Sequence, residues 1–250
     1  MCLVVFAWHR HPRYSLILVA NRDEQHARPA AAMQWWPDQP DILAGRDLQA
    51  GGTWLALSRS GRFATVTNYR EHVHTKPARL SRGKLVTDFV ADDAAPLEFS
   101  QKLRGADYAG FSLLTADSEA LCYTTNRDDP ARLLDAGVYG LSNATLDTPW
   151  PKLLRCRDGL NALLERDAVN PSTLMSLLAD TAPAPVKDLD DNLPVEFARA
   201  VSAPFIRTEQ YGTRCTTVVL VEKSGTTLVI ERRFDATGRT TGDSQFQFRS

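Results

Sequence analysis

At 250 residues, with 43% hydrophobic residues and a formal net charge of −1, the chain can bury a sizeable core. It carries neither the basic stripe of a nucleic-acid binder nor the like-charge block of a solvated tail. No run reaches the roughly 18 apolar residues of a membrane span, and Arg10, His11, Pro12 and Arg13 interrupt the N-terminal apolar run too early for a signal peptide. Cys2, Cys122, Cys156 and Cys215 show no CxxC pairing, which predicts reduced thiols and a cytoplasmic location. Small molecules are the expected partners, with no nucleic acid and no membrane span.

Cys2 to Trp8 and Tyr14 to Ala20 read as two strands joined across HRHPR. The first is apolar on both faces, Leu3, Val5 and Ala7 against Val4, Phe6 and Trp8, so it should be covered on both sides in a layered sandwich. Gln25 to Pro40 shows no period and reads as a long loop carrying Trp35 and Trp36. Gly51 and Gly52 introduce strands over 53–58 and 62–68, the second running into TNYRE. A helical block follows Ser81, with Leu85, Phe89 and Val90 and then Leu97, Phe99 and Leu103. Residues 111–115 and 120–125 form a hairpin about Asp117-Ser118, and 138–141 a further strand leading into SNATLDTPW.

Leucines 153, 154, 160, 163 and 164 approach a 3.6-residue period and predict a helix over 152–166. Asn170-Pro171 marks a second start, a cap followed by proline at the first helical position. Residues 181–212 carry few periodic signals, and 216–221 with 226–233 form a strand pair about Ser224-Gly225. Hairpin-connected strands interrupted by helix pairs predict an α+β fold of antiparallel sheets in one domain over 1–250.

The chemistry starts at Cys2. Once Met1 is trimmed, one residue supplies a thiol nucleophile and an α-amine able to act as its base. Hairpin pairing would set Asn21, Arg22, Asp23 and Glu24 beside it: an arginine to favour the thiolate and an aspartate to hold the α-ammonium. The bland alternative is a charged loop solvating a turn. Asn68 in VTNYRE and Asn143 after YGLS are placed to donate to an oxyanion, or simply serve turns. His9-x-His11 and His72-x-His74 lack further ligands at an established spacing, so no metal and no cofactor is expected. No GxxxxGK, GxGxxG or GxSxG occurs.

MCLVVFAW, LVANRDE, GGTWLALSRSGRFATVTNYRE, SRGKLV, YAGFSLL, YGLSNATLDTPWPKL and YGTRCTTVVLV, in this order, resemble the NRDE family, also called the transport and Golgi organisation 2 family. That family is similar to N-terminal-nucleophile hydrolases, which implies a four-layer αββα sandwich. A weaker likeness extends to the cysteine acylases that cleave penicillin V and conjugated bile salts. It implies Cys2 as nucleophile, Asp23 on the freed amine, and Asn68 and Asn143 as oxyanion-hole and amine-positioning residues. The acylase arginine three residues before the aspartate is Ala20 here, with Arg22 adjacent to Asp23 instead; Arg214 is the candidate for a second acylase arginine. Asn21, Glu24, Trp35, Trp36, Tyr69 and Arg70 are the expected substrate contacts. The resulting expectation is a hydrolase of a non-peptide amide or related acyl bond. The alternative is a carrier of haem, acyl lipid or acyl-CoA on the same fold, with the Trp35/Trp36 loop and nearby histidines lining its ligand site.

Overall fold

The computed structural model describes residues 2–71, 78–127, 130–190 and 192–250. Two antiparallel sheets face each other. One has six strands in the order β10-β1-β2-β11-β12-β13: β1 (Cys2–Trp8), β2 (Tyr14–Gln25), β10 (Gly137–Leu141), β11 (Tyr211–Glu222), β12 (Thr226–Phe234) and β13 (Thr240–Arg249). The other has seven in sequence order: β3 (Ala30–Trp36), β4 (Gln39–Asp47), β5 (Leu55–Ser58), β6 (Phe63–Asn68), β7 (Phe111–Ala116), β8 (Leu121–Thr125) and β9 (Arg132–Leu133).

Side-chain alternation along β1 builds three cores from this arrangement. Val4, Phe6 and Trp8 join Leu16, Leu18, Leu43, Leu55, Leu57 and Phe63 between the sheets. Leu3, Val5 and Ala7 point the other way, against Leu153 and Leu160 of α3 (Pro151–Glu165) and Leu174 of α4 (Pro171–Leu177). On the far side of the second sheet, Ala44, Ala56, Ala64 and Val66 meet Leu85, Val86, Phe89 and Val90 of α1 (Gly83–Ala91) and Phe99 of α2 (Pro96–Gln101). The layers are α, β, β, α, as expected, and the first strand is covered on both faces. The cap at Asn170 forms as read: its side chain accepts from Thr173 N–H, and Thr173 reciprocates at the Asn170 N–H.

Three segments depart from the expectation. Residues 25–40 are not a long loop, because β3 and β4 pair there as a hairpin. Register shifts between Ala31 and Gln34 and between Trp35 and Trp36 break the two-residue alternation, which is why the strand leaves no period in the sequence. Residues 181–212 contain α5 (Val195–Val201), and the chain ends in β13, whose exposure alternates along an edge with few apolar residues to advertise it. His72 and His74 lie outside the described residues.

Candidate active site

β1 and β2 place the nucleophile candidate. Cys2 lies opposite Arg22 and Leu3 opposite Asn21. β2 does not stop at Asn21 but runs on to Gln25, so the charged residues are held by a sheet ladder rather than by a turn. Pleating then sorts them. Cys2 and Arg22 share the face of Val4 and Ala20 between the sheets, whereas Asn21 turns to the helices. Its amide donates to Leu178 O at 3.1 Å and Pro204 O at 3.0 Å, and its carbonyl accepts from Thr216 Oγ1 at 2.6 Å. Asn21 is therefore a buried tie between layers and not a substrate contact.

Cys2 is half-buried and opens onto a cleft lined by Arg22, Asp23, Glu24, Arg28, Asp47, Trp54, Asn68 and Arg82, among others. Burial pushes the thiol above its ordinary range and the Asp23 carboxylate adds to this, while the Asp23 backbone N–H and the Arg22 guanidinium pull it down. Arg22 is fixed from two sides. Its guanidinium lies 4.1 Å over the Trp54 ring and 3.9 Å from Asp47 Oδ2. Trp54 itself fits because position 45 is glycine: a Cβ there would stand 2.4 Å from the indole.

Asp23 is 2% exposed. Burial raises its carboxyl, opposed by Lys152, by the hydrogen bond from Thr213 Oγ1 at 2.7 Å and by Arg22. The Tyr211 hydroxyl donates to the Asp23 carbonyl at 2.7 Å and fixes the backbone. Glu24 lines the cleft, 3.9 Å from Arg28, which donates to Asp47 Oδ2 at 2.7 Å.

The second sheet reaches the site through Asn68, the last residue of β6. Residues 142–143, just past β10, fasten the two sheets together at this point. Ser142 Oγ donates to Cys2 O at 2.9 Å, Thr67 Oγ1 donates to Ser142 O at 2.7 Å, and Asn143 Nδ2 donates to Asn68 O at 3.0 Å. Asn143 thus sits behind Asn68, in the wall of a neighbouring small cavity, with its amide directed to a backbone carbonyl.

The remaining candidates go elsewhere. Arg214 is the extra residue of a β-bulge between Thr213 and Cys215, and its Nη1 donates to the carbonyls of Gln25, His26 and Arg28. It braces the turn that carries Arg28 and does not enter the cleft. Arg70 pairs with Asp190 at 2.6 Å and lies over Trp150, while Tyr69 packs beside Arg127. Trp36 is buried under Arg46 with its Nε1 donating to Ala44 O, and Trp35 is stacked by Arg59 against Phe248. The expected tryptophan-lined ligand loop is therefore absent from this hairpin. His11 bonds to Asp167 and to its own loop.

Two residues not singled out in the sequence complete the site. Arg82 stands at the start of α1, where Gly51 in the left-handed region (φ 78°) and Gly52 admit the helix: a Cβ on Gly52 would lie 2.7 Å from the Gly83 carbonyl carbon. Its Nη1 donates to Gly110 O at 2.9 Å, and it makes no ion pair among the described residues. Lys152, 4% exposed, approaches Asp23 from α3. The SRG and PWPK motifs contain both residues, but no spacing rule marks them.

The Transport and Golgi organisation 2 family model matches residues 1–236. The chain is 35% identical to the Bos taurus Transport and Golgi organization protein 2 homolog, covering 100% of each, and 35% identical to the Homo sapiens homolog over 93% of this chain and 92% of that protein. In architecture it is similar to the C2A mutant of a conjugated bile acid hydrolase from Clostridium perfringens, with TM-score 0.57, 9% identity and coverage of 98% and 92%. A Caenorhabditis elegans N-acylethanolamine-hydrolyzing acid amidase ortholog follows with TM-score 0.52, 10% identity and coverage of 88% and 92%. These likenesses identify the sandwich as the N-terminal-nucleophile hydrolase fold.

Proposed function

The chain belongs to the transport and Golgi organisation 2 family, and from that membership and its cleft we propose an N-terminal cysteine hydrolase acting on a non-peptide amide or related acyl bond of a small molecule. The observation that carries this reading is the Cys2 thiol at the first residue of β1, opening onto a polar cleft with Asn68 on its wall and Asp23 and Arg22 at its base. Removal of Met1 frees the α-amine, which takes the thiol proton. The thiolate attacks the carbonyl carbon, with the Asn68 side chain or neighbouring backbone N–H groups donating to the oxyanion. The amine passes the proton to the leaving nitrogen as the C–N bond breaks, and water, deprotonated by the same amine, hydrolyses the acyl-thioester.

The cleft also suggests the substrate's character. Arg22 and Arg28 lie near Asp47, but Arg82 is a half-buried guanidinium with one backbone acceptor among the described residues. Burial lowers its pKa from the usual arginine range, so it is held in the cleft at an electrostatic cost that an anionic substituent on the substrate would offset. The test compares N-acyl amino acids with N-acylethanolamines, under intact-mass control of Met1. Turnover lost in Cys2→Ser, with the carboxylate-bearing amides preferred, supports the proposal. Full activity with Met1 retained, or unchanged turnover by Cys2→Ser, overturns it. Trp35 and Trp36, which the carrier alternative would set on a ligand loop, are engaged in packing, and this favours the hydrolase reading.

A further inference from the structure

Behind Cys2, on the side away from the cleft, lies a buried lysine that the mechanism above does not use. Lys152 is the second residue of α3, and its Nζ donates to Val201 O of α5 at 2.9 Å. Together with Ser142, Asn143, Trp150 and Arg70 it walls a small cavity, and Ser142 is the residue that binds the Cys2 carbonyl. Asp23 follows Asn21 by two residues on β2 and so belongs to the same helix-facing side. Two opposite charges, 4% and 2% exposed, thus lie in one layer at the end of β1, Lys152 on the Val201 carbonyl and Asp23 on the Thr213 hydroxyl.

We propose that Lys152 is a positioning residue for the nucleophile: from the helix layer its ammonium supplies a second counter-charge, beside the α-ammonium, that keeps Asp23 a carboxylate behind Cys2. Neither charge is tolerable alone in that setting, since an isolated buried ion is strongly disfavoured and a buried pair is broken at high cost when one partner is removed. The electrostatics agree in both directions. After burial, Lys152 is among the groups that lower the Asp23 carboxyl, and Asp23 is the foremost group that sustains the Lys152 charge. The other charged and titratable groups around the couple are the N-terminal ammonium, which acts on Asp23 ahead of Lys152, Cys2 of β1, Arg22 of β2, Cys156 of α3, Tyr211 of β11, and Arg70, Asp188 and Asp190 across the cavity. The proposal rests on Cys2 being the nucleophile, and its test separates the two.

Full-length parent, Lys152→Met, Lys152→Arg, Asp23→Asn and the Lys152→Met/Asp23→Asn double variant are compared in two measurements. Thermal unfolding forms a double-mutant cycle. Iodoacetamide labelling of Cys2, followed by peptide mass spectrometry from pH 5 to 10, reads the nucleophile without any substrate. The expected result is that Lys152→Met is far more destabilising in the parent than beside Asp23→Asn. Its Cys2 labelling at pH 7.5 should be about fivefold faster or more, with the profile displaced to lower pH, because an Asp23 that takes up a proton no longer raises the thiol, and Lys152→Arg should restore the parent profile. Additive losses in melting temperature together with an unchanged profile overturn the proposal and leave Lys152 as a tie between α3 and α5. If Lys152→Met does not fold, recovery of folding in the double variant supports the coupling, and failure of the double variant overturns it. A parent whose Cys2 resists labelling at every pH removes the nucleophile, while the unfolding cycle still decides the pair.

Discussion

Arg22 lies directly opposite Cys2 on one side and directly opposite Cys215 on the other, so a single guanidinium separates two thiols on the inter-sheet face. The two differ in setting. Cys2 opens to the cleft, whereas Cys215 is buried and burial, with Glu231 nearby, holds its thiol far above the ordinary range. Of the two, Cys2 is the thiol reached from the cleft, and Arg22 joins the N-terminal ammonium in lowering its proton affinity.

Replacing Arg22 with methionine keeps the stem that packs on Trp54 and removes the charge. Labelling of Cys2 by iodoacetamide at neutral pH is expected to slow several-fold, and loss of the cation–π contact to cost about 1–2 kcal/mol in denaturant unfolding. Faster labelling in the variant would contradict the role given to Arg22.

Asn68→Ala removes a side-chain amide from the cleft wall and leaves the backbone carbonyl that Asn143 binds. Turnover should fall by roughly 100- to 1000-fold with Cys2 labelling unchanged. A loss of labelling in step with turnover would point to a displaced strand end instead.

Gly52→Ala drives a methyl into the Gly83 backbone, where the β4–β5 connection packs on the start of α1. The expected cost is about 1–3 kcal/mol, with weakened discrimination in favour of anionic substrates because Arg82 moves with the helix start. Thermal unfolding and the amide panel read the two effects separately.

Glu231, 1% exposed on β12, accepts from Met33 N–H at 2.9 Å. Burial lifts its carboxyl above the usual 4.5, against the pull of Met33 N–H and Arg233. The folded state therefore binds this proton more tightly than the unfolded chain, so its stabilising effect is full below about 4.5 and declines as pH rises towards the folded-state value. Glu231→Gln keeps an acceptor for Met33 and cannot ionise. Its melting temperature should gain on the parent as pH climbs from 4.5, whereas parallel curves would show that Glu231 does not titrate there.

Much of the fold was legible because alternation and helical period are written directly in the side chains: the double-sided β1, the leucines of α3 and the cap at Asn170 all form as read. The hairpin of β3 and β4 was hidden by its bulges, and β13 by a polar edge. At the site, pairing correctly brought Arg22 and Asp23 to Cys2, but adjacency in sequence could not say which face each would take. Asn21 went to the helices and Arg214 into a bulge for that reason. Lys152 and Arg82 come from helix starts far along the chain, and only the packing of helix on sheet reveals that they converge on the first strand.

Ser142 and Asn143 clamp the end of β1 from behind, while Arg82, at the start of α1, lines the cleft from the second sheet's side. The working parts and the recognition parts therefore stand on different secondary-structure elements. Arg82 can be exchanged to suit a different head group without touching the strand pair that fixes Cys2. Selectivity in this scaffold is accordingly open to redesign, or to drift, at little risk to the nucleophile itself.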